Sequence, residues 1–251
     1  MIIKSSVGGF TQAPARKDGH LLVASLDVEW TKNYRIKNGN VPFCWSVTWL
    51  SVPVSEAAAA PTEFSYTSVY VENAQETQDL IDTADAGIAA FAEHADLIVG
   101  HQVSSDLAVL RNASTRPLTA TEALRERWHQ RRTETTPRVI DSRYDTGHVL
   151  TGTSRRLVDV CAELRLDVTQ PELRRKSMTA LHRDWLNDAD TEARERITVL
   201  NLRHSLSAAY TALHATGRTT WHNTLNVNTV LHTQLAGSLA WLDTPTFRDL
   251  L

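Results

Sequence analysis

Cysteine is nearly absent: Cys44 and Cys161 are the only two in 251 residues, each inside an apolar run, and neither a CxxC pair nor a Cys/His zinc spacing occurs. A disulfide framework and a structural zinc site are therefore not expected, and both residues read as buried thiols. Long apolar runs are missing too. Leu21 to Ala24 and Ala57 to Ala60 are typical of the longest, far short of the roughly 20 residues that cross a bilayer, so no membrane partner is expected. The first residues, MetIleIleLysSerSerValGlyGlyPhe, lack the basic end, longer apolar centre and cleavage site of a signal peptide, and a cytoplasmic location is the expectation. Charge of one sign is also lacking. With 26 Lys plus Arg against 29 Asp plus Glu the net charge is −3, which argues against indiscriminate polyanion binding and leaves any nucleic-acid contact to a local patch. Lysine is scarce among the basic residues, and the arginines that replace it carry planar forks suited to phosphate.

The chain does have an ordinary globular composition, 42% hydrophobic and 22% charged. Its length suits one domain spanning 1–251, with a core over about 21–217 and a helical C-terminal extension over 218–251. Leu21 to Leu26, Phe43 to Val54 and Glu63 to Val71 read as strands, rich in β-branched and aromatic residues. With no helix between them they imply an antiparallel meander. Apolar positions Leu80, Ile81, Ile88 and Phe91 predict a helix over Gln75 to Glu93, followed by a buried strand at Leu97 to Val99 that ends at Gly100. Ser104 to Leu110 and Thr121 to Arg132 read as helices, Val139 to Ile140 as a short strand ending at Asp141, and nearly everything after Ser154 as helix. The expected fold class is α/β, a mixed five-stranded sheet flanked by helices with a mostly helical C-terminal part.

Carboxylates mark the places where chemistry could sit. Asp27 and Glu29 end an apolar strand, and strand alternation puts residues two apart on one face, where two acids repel unless a cation lies between them. Hard oxygen donors on a rigid strand suit Mg²⁺ or Mn²⁺. The alternative is a pair of surface acids closing a strand. In AspLeuIleValGlyHisGlnValSerSerAspLeu, a strand delivers His101 to a turn and Asp106 to the first turns of a helix, at the carboxyl edge of the sheet where α/β proteins bind ligands. His101 could equally be a capping histidine, and Asp106 a partner of the helix dipole.

Taken together, an apolar strand ending AspValGlu and a later ValGlyHis-x-x-x-x-Asp-Leu-x-x-Leu resemble the first two motifs of the DEDD-type 3′-to-5′ exonucleases, the superfamily of proofreading exonucleases and oligoribonucleases. ArgValIleAspSerArgTyrAsp, from Arg138, and ArgArgLeuValAspValCysAla, from Arg155, resemble the family's next strand and helix. The resemblance runs from about Leu21 to Leu213 and implies a ribonuclease H-like fold, two Mg²⁺ or Mn²⁺ ions and hydrolysis of phosphodiester bonds at the 3′ end of single-stranded RNA or DNA. It implies Asp27, Glu29 and Asp106 as metal ligands and a His or Tyr-held water as general base. The last family motif diverges. Family members carry His five residues, or Tyr four residues, before a final Asp on one helix. Here ThrValLeuAsnLeuArgHisSerLeuSerAlaAlaTyr, from Thr198, offers His204, and neither register yields the acid. His204 is then the general base, or a ligand replacing the acid in a Mn²⁺ site, since imidazole suits Mn²⁺ better than Mg²⁺. A weakened module that binds nucleic-acid ends without efficient cleavage is the competing reading. Asp188, Asp190 and Asp141 are the other acids considered; the first two resemble a helix cap.

Substrate contacts are expected from Trp30, Thr31, His101 and Arg35. The Trp30 to Gly39 segment mixes rings and cations suited to stacking a single-stranded or short oligonucleotide end, at roughly 1 to 3 kcal/mol per base. The same segment also reads as a solvated hairpin turning at Asn38 and Gly39. Arg125 to Arg132 and Arg174 to Lys176 are either phosphate-groove walls or exposed faces. In the tail, Val227, Val230, Leu231, Leu235 and Leu239 form one apolar stripe. It either packs onto the domain or makes a homodimer seam.

Overall fold

The computed structural model describes residues 1–31, 36–54 and 57–251. Among them, six strands form one mixed sheet: β1 (Ile2–Ser5), β2 (His20–Thr31), β3 (Val41–Pro53), β4 (Ser65–Tyr70), β5 (Leu97–Gly100) and β6 (Val139–Asp141). Their spatial order is β1-β4-β3-β2-β5-β6. The first four are joined antiparallel and the last two run parallel to β2. The expected meander is present, but the sheet has six strands where five were expected. The addition is β1, which pairs with β4 from Ile2↔Tyr70 to Ser5↔Thr67. Its four residues are half-exposed and its sequence pattern is too short to register as a strand.

Among the described residues, eight α-helices accompany the sheet: α1 (Thr77–His94), α2 (Val103–Ala113), α3 (Thr119–Gln130), α4 (Leu157–Glu163), α5 (Met178–Asp188), α6 (Thr191–Ala215), α7 (Val227–Leu235) and α8 (Pro245–Arg248). None is long and apolar enough to cross a membrane among the described residues.

Alternation along β2 divides the core. Leu22, Ala24, Leu26 and Val28 join the cluster with Leu80, Ile88 and Leu107 of α1 and α2, whereas Val23 joins Leu202 and Leu206 of α6. Trp45 of β3 lies against α1 so closely that a Cβ on Gly87 would come within 2.6 Å of its ring. On the other face α6 is buried on almost every side. Small Ser205, Ala208 and Ala209 lie on this helix, and Ser205 reaches the sheet directly, with its hydroxyl 2.8 Å from that of Thr48. Serine at this position lets the helix backbone approach the strands while its polar atoms stay hydrogen-bonded.

The apolar stripe of the tail is covered by its own chain. Val227, Val230, Leu231, Leu235 and Leu239 are all buried in the cluster that contains Leu206 and Tyr210 of α6. This stripe is therefore not a homodimer seam, because burying it intramolecularly leaves no apolar face to offer. Cys44 and Cys161 are both buried free thiols, as expected.

Candidate metal centre

Three parallel strands, β2, β5 and β6, deliver their carboxyl ends to one edge of the sheet. At β5, Gly100 is required by contact: a Cβ there would lie 2.7 Å from Val103 Cγ2 and 3.0 Å from the Leu26 carbonyl oxygen. This close approach turns the chain sharply into α2. Asp141, at the end of β6, secures that turn. Its two carboxylate oxygens accept from the backbone N–H groups of Gln102 (2.9 Å) and Val103 (3.0 Å), and from Trp128 Nε1 (2.8 Å). Asp141 is thus occupied in capping α2 and placing Asp106 one turn further on.

Asp27 and Glu29 point from β2 toward α6, where His204 meets them. His204 Nδ1 lies 3.0 Å from Glu29 Oε1 and 3.7 Å from Asp27 Oδ2. One ligand atom from each of the three falls within 4.8 Å of the others, close enough for a single ion. Asn201, one helical turn before His204, donates to the second partner from Nδ2: 2.6 Å to Asp27 Oδ2 and 3.2 Å to the Asp27 carbonyl oxygen. Asp106 stands outside this trio but on the wall of the same cavity, only 3% exposed, and its Oδ2 is buried without a hydrogen-bond partner.

Electrostatics follow from this crowding. Burial, and then the Glu29 charge, push the Asp27 carboxyl up to about 7. Burial, followed by Asp27 and Glu29, holds Asp106 well above the usual carboxylate range. For His204, burial opposes the charged ring, but hydrogen bonds and attraction from Asp27 and Glu29 outweigh it and carry the imidazole up to about 10. These directions describe a cluster with more negative charge than it can hold, relieved in part by one imidazolium. A divalent cation is the chemical complement of such a donor set. The carboxylates and the imidazole fit one, and the bare Asp106 oxygen fits a second contact with it or with its water.

The cavity at this edge encloses about 900 Å³. Beside the acids and His204 it is lined by Trp30, Lys37, Asn38, His101, Gln102 and Asn112, among others. Trp30 and His101 thus line the same cavity as the acids. Both ring nitrogens of His101 are engaged, Nδ1 with Ser142 Oγ at 2.9 Å and Nε2 with the Arg155 carbonyl oxygen at 3.1 Å, and burial drives the ring down to about 4. It is a neutral wall residue. Thr31 is not at the cavity: its hydroxyl donates across the hairpin to the Val41 carbonyl oxygen at 3.4 Å. Arg35, with Lys32, lies outside the described residues.

The two basic segments are bracing rather than groove walls where their partners are seen. Arg131 pairs with Asp145 at 2.7 Å and lies 4.0 Å over the Trp128 ring, Arg125 pairs with Glu122 at 2.7 Å, and Lys176 pairs with Asp184 at 2.6 Å. Asp190 accepts from the Ala193 N–H at 3.0 Å and caps α6, as its sequence context suggested. Asn201 and Gln102 were not singled out by the sequence, whereas Lys37 is a cation of the Trp30 to Gly39 segment. For Asn201 a signal existed, since Asn201 and His204 are three apart and so share a helix face. No family model matches the chain, and no curated protein is significantly similar to it.

Proposed function

We propose that this protein is a divalent-metal-dependent 3′-to-5′ exonuclease of the ribonuclease H-like type, related to the DEDD enzymes, acting on the 3′ end of single-stranded RNA or DNA. The observation that carries the reading is the joining of Asp27, Glu29 and His204 within 4.8 Å, with the unpartnered Asp106 oxygen on the same cavity wall. The sheet order supports it: an antiparallel meander whose first long strand is central, extended by parallel strands on the other side, is the arrangement of that fold.

Bound divalent ions would supply an activated water and charge neutralisation at the departing oxygen. Asp27, Glu29 and His204 would hold one ion through hard oxygens and one imidazole nitrogen, and Asp106 would complete the arrangement. His204 replaces the final acid of the related enzymes rather than acting as the general base, because Nδ1 is turned into the carboxylates and Nε2 is hydrogen-bonded to Gln170. Asn201 fixes the orientation of Asp27, leaving its other oxygen toward the cavity. Trp30 offers a stacking surface to the terminal base, while Asn38, Asn112 and Lys37 provide hydrogen bonds and one positive charge for a sugar-phosphate end.

The test is degradation of 3′- and 5′-labelled single-stranded RNA and DNA with Mn²⁺ or Mg²⁺. The expected result is stepwise shortening from the 3′ end, faster with Mn²⁺, and lowered at least ~100-fold in Asp27→Asn. Exchanging His204→Asp should move the preference toward Mg²⁺. A second reading, an end-binding module, draws on the absence of a free histidine base at the described cavity, where both nitrogens of His101 and of His204 are hydrogen-bonded. Tight binding of 3′ ends with no cleavage under either ion would favour it.

A further inference from the structure

His204 meets the carboxylates with one ring nitrogen and Gln170 with the other: Gln170 Nε2 is 2.9 Å from His204 Nε2. The two ring nitrogens thus face a carboxylate and an amide: Nδ1 lies 3.0 Å from Glu29 Oε1, and Nε2 faces Gln170, whose side chain can donate to a bare Nε2 or, turned over, accept from an Nε2–H. An Nδ1 that carries a hydrogen has no lone pair for a metal. To ligate, the ring must carry its proton on Nε2, and the group facing Nε2 must then accept a hydrogen bond rather than donate one. A glutamine can do either. A half-turn about its last side-chain bond puts Oε1 where Nε2 was, at no cost in shape.

Resting on the metal-centre reading above, we propose that Gln170 is a positioning residue for His204. Its amide oxygen accepts the Nε2–H, so that a divalent cation entering the site displaces only the Nδ1 hydrogen and meets the Nδ1 lone pair. The surrounding structure holds Gln170 in place for this. Gln170 precedes Pro171, which confines it to an extended backbone (φ −112°, ψ 82°). Two residues on, Glu172 is clamped by both arms of Arg203, the neighbour of His204, at 2.7 and 2.8 Å. Arg203 Nε also donates to Asn228 at 2.7 Å, and Asn228 holds the Thr169 carbonyl oxygen at 3.3 Å. The loop carrying Gln170 and the helix carrying His204 are therefore tied at two points beside the contact.

Mn²⁺ and Mg²⁺ affinities of the wild-type chain and of Gln170→Met, which keeps length but offers no comparable hydrogen bond, test the proposal by titration with electron paramagnetic resonance and competition. Loss of the second hydrogen bond to a ligating imidazole should weaken Mn²⁺ by about 10-fold or more, and Mg²⁺ by much less, because imidazole contributes little to Mg²⁺. In a His204→Asp background, Gln170→Met should change neither affinity. An equal loss for both ions, or a loss that persists with His204→Asp, would overturn the role. The wild-type chain also carries a test that needs no variant. Nitrogen-15 spectra of His204 should place the ring proton on Nε2 when diamagnetic Zn²⁺ is bound, and a proton remaining on Nδ1 would overturn the proposal. Wild-type protein that binds none of these ions would remove the metal centre itself. Binding by the wild type that Gln170→Met matches would remove only the role of Gln170.

Discussion

Asp106 carries the sharpest electrostatic conflict in the metal-free protein. Its carboxylate is buried, one oxygen has no partner, and Asp27 and Glu29 are its charged neighbours. An amide in its place can carry no charge and offers two donors where the carboxylate has an unpartnered oxygen. Asp106→Asn should therefore stabilise the protein in EDTA by ~1–3 kcal/mol, the usual cost of a buried unsatisfied group, while abolishing the proposed nuclease activity. Urea unfolding in EDTA, beside the cleavage assay, measures both effects. Under the proposed function, activity and stability would pull in opposite directions at this residue. His182 is a second residue under tension. It stacks on Phe43 with ring centroids 3.9 Å apart and lies 3.0 Å from the Tyr70 hydroxyl, and burial lowers it from 6.5 to about 4. In the folded state it resists a proton that the unfolded chain accepts below pH 6.5, so stability should fall as pH drops from about 6.5 toward 4. The sign is that of a depressed histidine: its penalty is absent at neutral pH and complete once the folded ring also protonates. His182→Gln should reduce the difference between urea midpoints at pH 7 and pH 5, with the part due to His101, depressed to the same value, left in place.

The long helix α6 gathers the tensions of its neighbours. Arg203 is fully buried and its guanidinium is met by the equally buried Glu172, whose Oε1 also accepts from Trp241 Nε1 at 3.0 Å. Replacing Arg203 alone strands a carboxylate in a dry interior, and Arg203→Met should cost about 3–5 kcal/mol in urea unfolding. The double variant Glu172→Gln with Arg203→Met should recover part of that loss, because no charge is then left without its partner. The helix also explains which parts of the site were legible. Asp27 and Glu29 stood out because they close an apolar strand two residues apart, and Asp106 because it follows a strand and turn at a family spacing. His204 stood out because a family motif ends nearby. Gln170 and Asn201 carry no charge and belong to no motif, and their partners lie 34 and 174 residues away. Only the packing of α6 onto β2 and onto the loop before Pro171 brings them together.

At the scale of the molecule, the α/β class and the meander were legible because β2, β3 and β4 are long or strongly β-branched and their alternation is clear. The sixth strand was not, since four half-exposed residues at an edge carry almost no periodic signal. The role of the C-terminal stripe was open for a related reason: an apolar helical face has the same pattern whether it meets its own chain or another. Here it meets α6.

Asp27 and Glu29, the candidate metal ligands of the central sheet, sit on a strand that is paired on both sides just before them. β2 is bonded to β3 from His20 to Thr31 and to β5 from Val23 to Leu26. Amide hydrogens of such a strand exchange with solvent only when the entire chain opens. Native-state exchange should then show Val23 to Leu26 as the slowest amides, and added Mn²⁺ should slow them further by the full binding free energy while leaving the amides of β1 unchanged. A metal held this way, as proposed, would act as a lock on global opening, and its loss would be felt first as a shorter lifetime of the folded chain.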